Sequence, residues 1–221
     1  MNSIQKFILG SIYCNNLDNG PNFDSIAYLE NKMNLGGDYY LDKILDLEKH
    51  GYVEIIYKEP LLQKPKQIFC SLSELGRSKI KVVFMGGVFD LLHPGHIHTL
   101  KSAKSYGDVL VVVVATTSTA LKLKKNRNIY HDEKHRRELV ASLSFVDLSL
   151  IGKEGTLYDT VSFVKPDIIA LGYDQAHNEK EIQKNCLERG IKLDVIRLSS
   201  PIPEIKSTLI KRSLGNTFYE I

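Results

Sequence analysis

Cysteine is scarce in this 221-residue chain. There are three, Cys14, Cys70 and Cys186, odd in number, far apart and in no CxxC pairing. That argues against a disulfide framework and against a thiolate zinc site, and it fits a reducing, cytoplasmic compartment. Long apolar runs are missing too. A bilayer span needs about 20 consecutive apolar residues; the longest runs here, 109–115 and 53–57 (interrupted by Glu54), are strand-sized, so no membrane partner is expected. Lys6 followed by the apolar stretch 7–14 bears a faint likeness to an export signal. That stretch is short, Tyr13 stands where a small residue belongs, and the segment reads as a helix. No internal repeat or low-complexity tract is present. Neither sign of charge dominates, with 29 Lys and Arg against 26 Asp and Glu. With 43% hydrophobic and 25% charged residues, the composition is that of a globular protein rather than a disordered or collagenous one.

What charge there is lies unevenly. Residues 1–78 carry eight basic and ten acidic side chains, whereas residues 79–221 carry 21 and 16. The positive surplus sits in the C-terminal part and points to an anionic ligand there. The length allows one large or two small domains, and the pattern of the chain changes near residue 79.

In residues 1–78, Ile4, Phe7, Ile8 and Ile12 repeat at helical spacing, and Asn19-Gly20-Pro21 breaks the chain. Ile26, Leu29 and Met33 mark a second helix stopped by Gly36-Gly37. Asp38 is placed to cap a third, with Leu41, Ile44 and Leu45 on one face and Gly51 ending it. Residues 52–57 and 67–72 read as two strands, and Ser73 caps a short helix through Ser78. Helix, helix, helix, hairpin resembles a small winged helix-turn-helix domain. The third helix carries Asp38, Asp42, Asp46 and Glu48 against Lys43 and Lys49, while Lys64 and Lys66 lie in the wing. Duplex binding draws much of its free energy from cations on phosphates. Two readings therefore stand: a DNA-binding module, or a module for dimerisation and domain packing.

From Ile80, continuous apolar strands (80–85, 109–115, 145–151, 167–171 and 192–198) alternate with helices over 132–143, 157–164 and 178–189 and one starting near Ser207. That alternation predicts an α/β domain over 79–221, a Rossmann-like parallel sheet covered on both faces by helices. Such sheets bind ligands beyond the strand C-termini. The stretch Gly86-Gly87-Val88-Phe89-Asp90-Leu91-Leu92-His93-Pro94-Gly95-His96 lies between the first of these strands and its helix. Glycines let backbone approach a ligand, and Pro94 suits a helix entry whose N-terminus favours an anion. The two histidines could be core residues satisfied by backbone, metal ligands, or phosphate ligands. No third metal ligand is placed by sequence, and a helix N-terminus repels cations. Phosphate binding accounts for the loop, the helix end and the histidines together.

The string 87–96, with its HxGH core, resembles the signature of the cytidylyltransferase-like nucleotidyltransferases, and the resemblance extends over 80–212. Members join a nucleoside monophosphate from ATP or CTP to a phosphorylated acceptor and release pyrophosphate. The resemblance implies that His93 and His96 are catalytic, contacting the nucleotide phosphates. It implies that Gly86, Gly87, Val88, Phe89 and Asp90 line the nucleotide, with Asp90 at the triphosphate or its Mg²⁺ (or another divalent cation). Lys122, Lys124, Lys125 and Arg127 follow the second strand, and Lys125 and Arg127 match the family's catalytic cations best. His135-Arg136-Arg137 resembles its basic turn, Arg136 being the match. Gly172-Tyr173-Asp174-Gln175 fits recognition of base or ribose, with Gly172, Tyr173 and Asp174 as contacts. Ser207 and Thr208 resemble a second signature whose hydroxyls hold phosphates; Leu209 stands where a basic residue is usual, and Lys211 or Arg212 substitutes for it. Val88 replaces a usual Thr.

An acceptor phosphate monoester has its second pKa near ~6 and is largely a dianion at neutral pH. It needs no base, only in-line positioning and cations. The segments 111–115, 135–138, 147–152 and 166–175 are similar to archaeal FAD synthetases, which implies ATP and FMN as substrates. Two alternatives remain: a cytidylyltransferase using CTP and an alcohol phosphate such as glycerol 3-phosphate, and a DNA-binding regulator with a nucleotide-sensing domain. The family resemblance also implies a homodimer.

Overall fold

The computed structural model describes residues 1–57, 67–123, 129–199 and 210. The chain divides into two compact units, Met1–Lys81 and Val82–Ile221.

The first unit opens with helix α1 (Ser3–Asn19), started by a reciprocal cap between Asn2 and Gln5 and ended at Gly20, whose φ is +80°. Helix α2 (Ser25–Lys32) is capped by Asp24, which accepts the Ile26 N–H. Helix α3 (Gly37–Lys49) departs from the sequence expectation at its start. Gly36, at φ +84°, is the N-cap, and Asp38 sits in the first turn. There its carboxylate is on the favourable end of the helix dipole. The buried face is also rotated: Tyr40, Ile44 and Leu47 are inside, while Leu45 is 41% exposed. Tyr40 can be buried because its hydroxyl donates to the Met33 carbonyl, which turns a polar ring into a core residue. Strands β1 (Val53–Tyr57) and β2 (Ile68–Leu72) pair antiparallel, Val53 opposite Leu72. Ser73 caps the short helix α4 (Glu74–Arg77) as expected, accepting the Gly76 N–H at 3.0 Å. Gly76 has no room for a side chain: a Cβ there would lie 1.8 Å from the Tyr52 carbonyl oxygen. The wing residues Lys64 and Lys66 lie outside the described residues.

The second unit runs β3 (Val82–Gly87), α5 (Pro94–Lys104), β4 (Val109–Val114), α6 (Thr117–Leu123), α7 (Glu133–Ala141), β5 (Leu148–Ile151), α8 (Leu157–Val164), β6 (Ile168–Leu171), α9 (Glu179–Glu188) and β7 (Asp194–Arg197). All strand pairs are parallel, in the order β5-β4-β3-β6-β7. This is the expected Rossmann-like sheet. Alternate strand residues Val83, Met85, Leu110, Val112, Val114, Ile168 and Ala170 join Leu100 and Ala103 of α5 and Val140 of α7 in one core. The other alternate set, Phe84, Val111, Val113, Ile169 and Leu171, is buried too. Both faces are therefore covered, which is why these strands read as unbroken apolar runs. Truncating a core side chain such as Leu100 to Ala costs about 2–5 kcal/mol.

Two carboxylates fix strand starts. Asp147 accepts Lys104 Nζ at 2.5 Å and the Leu110 N–H at 2.6 Å, and Asp167 accepts the Val82 N–H at 2.7 Å. Helix α6 stands where the sequence reads as a polar loop. Thr116 starts it, its hydroxyl oxygen accepting the Thr119 N–H at 3.1 Å. All three cysteines are buried, and burial pushes the Cys70 thiol up to about 12. Among the described residues no helix is long and apolar enough to cross a membrane.

Candidate active site

Strand order reverses at β3: the chain steps outward through β4 and β5, then returns to place β6 on the other side. In doubly wound sheets a crevice opens at such a point, beyond the strand C-termini. The glycine turn that ends β3 stands at that point.

The turn is tight for identifiable reasons. A Cβ on Gly87 would lie 2.6 Å from two ring carbons of Phe89, so only glycine lets that ring sit there. Phe89 itself is buried, with φ at +52°. A bulky residue in the left-handed region costs on the order of 1–3 kcal/mol and persists only where its surroundings enforce it. Its ring and that of His96 meet in a T-shaped arrangement, centroids 5.4 Å apart. His96 in turn lies 3.9 Å from His93, the rings tilted by 32°. His93 is the N-cap of α5 and Pro94 its first residue. Both imidazoles thus come together at a helix mouth, where an anion is favoured.

His93 Nδ1 is buried and has no hydrogen-bond partner among the described residues. Burial holds the His93 pKa below the usual histidine value, and the charge of Asp174 partly opposes that shift. Asp174 belongs to the segment after β6, so the structure brings Gly172, Tyr173 and Asp174 to the glycine turn. Gln175 makes the link: its amide nitrogen donates to the Gly86 carbonyl at 2.8 Å, and its oxygen accepts the Gly172 N–H at 3.1 Å.

Asp90 is built into the loop before α7. It is 2% exposed. Its carboxylate accepts the Tyr130 N–H at 3.0 and 3.1 Å and the His131 N–H at 2.9 Å. His131 Nδ1 donates back to the Asp90 carbonyl at 2.9 Å. The carboxylate is spent on fastening the approach to α7. Among the described residues, no group of three or more His, Cys, Asp and Glu could hold a metal ion.

Arg136 differs from the phosphate cation that the resemblance implies. It is fully buried. Its guanidinium donates to the carbonyls of Val88 at 2.7 Å, Ala115 at 2.8 Å and His131 at 3.0 Å. One side chain thereby ties the segments after β3 and β4 to the start of α7. Its neighbour Arg137 donates to the Ser149 carbonyl of β5 at 2.8 Å. A sequence signal for Arg136 exists: it stands four residues before buried Val140 and so shares the buried face of α7. Lys122 is exposed on α6. Lys124, Lys125, Arg127, Ser207, Thr208, Lys211 and Arg212 lie outside the described residues.

A family model described as Cytidylyltransferase-like matches residues 84–213. The chain is 46% identical over 122 residues to the FAD synthase of Picrophilus torridus, covering 55% of this chain and 86% of that protein. It is 50% identical over 116 residues to the FAD synthase of Aciduliprofundum boonei, covering 52% and 76%. Among solved structures it resembles a protein from Thermoplasma volcanium titled as a lipopolysaccharide core biosynthesis protein. That match has a TM-score of 0.53 and 45% identity, over 55% of this chain and 98% of the other.

Proposed function

The chain belongs to the cytidylyltransferase-like family, and from that premise we propose that it is a FAD synthase, moving AMP from ATP to the phosphate of FMN. An FMN phosphate oxygen attacks the α-phosphorus of ATP. The bond between that phosphorus and the oxygen bridging to the β-phosphate breaks, and pyrophosphate leaves. FMN arrives largely as a dianion, so the protein has no proton to remove. Its task is to hold two anions in line and to balance the charge that spreads over the transferred phosphoryl oxygens.

The observation that carries this reading is the pair of imidazoles 3.9 Å apart at the mouth of α5, beside a glycine turn that a side chain would obstruct. Burial favours the neutral form of His93. A triphosphate beside it reverses that balance, since a nearby negative charge stabilises the protonated ring. His93 and His96 then donate to phosphate oxygens. Lys125 and Arg127 supply further positive charge. Ser207, Thr208 and Lys211 hold the other phosphates. Val88, Phe89 and the Gly86-Gly87 turn line the nucleotide. Gly172, Tyr173 and Asp174 contact base and ribose. Mg²⁺ enters as the partner of the triphosphate, part of the substrate rather than an ion caged by protein. Asp90 acts on the nucleotide through the loop it fastens.

For the first unit, the order of helices and hairpin supports a winged-helix reading. Asp38 and Asp42 are exposed on α3, and that favours a packing role over duplex binding. A homodimer is the assembly we propose, and light scattering tests it.

Pyrophosphate release with ATP or CTP, against FMN or glycerol 3-phosphate, tests the reaction. Release with ATP and FMN, and formation of FAD, is expected. Release only with CTP and glycerol 3-phosphate would establish the cytidylyltransferase reading instead, and release with neither pair would favour a sensor. Salt-dependent duplex binding in gel shifts would overturn the packing role of the first unit.

A further inference from the structure

One cation beside this site has a role that phosphate binding does not explain. Arg197 ends β7 and lies opposite Leu171, the last residue of β6. Its guanidinium donates to the carbonyls of Gly172 at 3.1 Å, Gln175 at 2.8 Å and His177 at 2.5 Å, and its Nε to the Glu179 carboxylate at 2.5 Å. A surface Arg–Glu pair alone contributes little. Three backbone carbonyls on one planar fork are different: they fix the path of a whole loop relative to one rigid group. On its other side the same loop is tied to β3, through the Gln175 amide and the Gly86 carbonyl at 2.8 Å. Tyr173 and Asp174 stand between the two anchors. Asp174 is exposed, and its charge reaches His93.

We propose that Arg197 is a positioning residue for nucleotide binding. It holds the 172–177 loop at a set distance from the glycine turn, so that Tyr173 and Asp174 are presented before the nucleotide arrives. The inference rests on the FAD synthase reading of the same site. Its physical content is preorganisation: a loop ordered in advance does not charge its ordering to the binding step. Arg197 touches no reacting atom in this account. It acts through the loop.

The test compares the full chain with Arg197→Gln, Arg197→Lys and Gln175→Ala. Three readouts are taken: ATP binding by calorimetry in the absence of FMN, the steady-state constants, and the titration of the His93 ring by NMR in the nucleotide-free protein. Arg197→Gln is expected to weaken ATP binding and raise its KM by about tenfold or more, with kcat and the KM for FMN within roughly twofold. Arg197→Lys, a point charge that cannot span three carbonyls, recovers only part of the loss. The His93 pKa falls further in Arg197→Gln, because Asp174 drifts away. Should Arg197→Gln fail to fold, Gln175→Ala cuts the opposite anchor and shows the same split between ATP and FMN. A folded Arg197→Gln with unchanged ATP affinity and unchanged His93 titration overturns the proposal. So does a loss confined to thermal stability, or one shared equally by both substrates. If the wild-type chain forms no FAD, the functional reading fails, while the His93 titration still decides whether Arg197 sets the loop.

Discussion

Arg136→Met keeps the bulk of a fully buried side chain and removes all of its donors. In the wild-type chain that guanidinium serves the carbonyls of Val88, Ala115 and His131. A buried acceptor left without a donor costs about 1–3 kcal/mol. Three of them make the gross loss large. Removing the charge returns part of it, because desolvating a guanidinium is itself expensive. When a buried ion pair is replaced, both partners can be made apolar. Here three of the partners are backbone carbonyls, which no substitution removes, beside the Thr117 hydroxyl at 3.4 Å and the Glu133 carboxylate at 3.9 Å. The net cost is therefore set near the range for breaking a buried charged contact, about 3–5 kcal/mol. For a chain of this size each kcal/mol lowers Tm by about 2–4 °C, so a drop of roughly 6–20 °C is expected. Arg136→Lys restores at most a fraction, since one ammonium cannot reach three divergent carbonyls. Thermal and urea unfolding by circular dichroism measure the loss, and FAD formation is assayed well below the transition. A variant within about 1 kcal/mol of wild type would refute the reasoning, because the carbonyls would then be satisfied by water and the guanidinium would not be holding the loops.

ATP binding takes up a fraction of a proton at pH values around the ordinary histidine pKa, since burial holds His93 below that value in the nucleotide-free protein and a triphosphate beside it raises it. Calorimetry in buffers of different ionisation enthalpy measures the uptake, and an equal uptake in His93→Asn would contradict it. The same depressed pKa means that the unfolded chain binds more protons near its ordinary histidine value. Stability set by His93 therefore falls as pH drops from about 6.5, the ordinary histidine value, toward the lower folded-state pKa, and denaturation of wild type against His93→Asn across that range checks the sign. Gly87→Ala forces the Phe89 ring to move off a Cβ only 2.6 Å away. It should cost about 1–3 kcal/mol of stability and disturb His96 as well, so unfolding and turnover are read together. Gly76→Ala sets a Cβ against the Tyr52 backbone at 1.8 Å. It is expected to destabilise the first unit by more than about 2 kcal/mol, and a neutral result in urea unfolding would show that α4 shifts without strain.

The parallel sheet was legible because both of its faces are covered, which leaves unbroken apolar strands between amphipathic helices. The glycine turn and its histidines were legible because their chemistry is local: the Gly86-Gly87 turn, Pro94 and two imidazoles all fall within eleven residues. Features that depend on distant partners were not. Asp90 looks like a ligand in sequence, yet its oxygens meet N–H groups 40 and 41 residues away. Arg136 looks like a surface cation, yet it serves carbonyls up to 48 residues away. Arg197 gave no sequence signal at all, since its partners are backbone atoms. Helix α6 was hidden by a Thr116-Thr117-Ser118-Thr119 run, residues that serve loops and helix caps equally well. The face of α3 was set one position off because Tyr40 is buried through a hydroxyl bond to Met33 rather than by apolarity alone.

The central claim is that two imidazoles at the mouth of α5 hold the triphosphate during AMP transfer. The most direct measurement is the turnover of His96→Ala with ATP and FMN, read as FAD formed by chromatography. Losing one aimed donor at a developing charge should lower kcat by about 100- to 1,000-fold with the fold intact. A folded His96→Ala enzyme that makes FAD at the wild-type rate would contradict it.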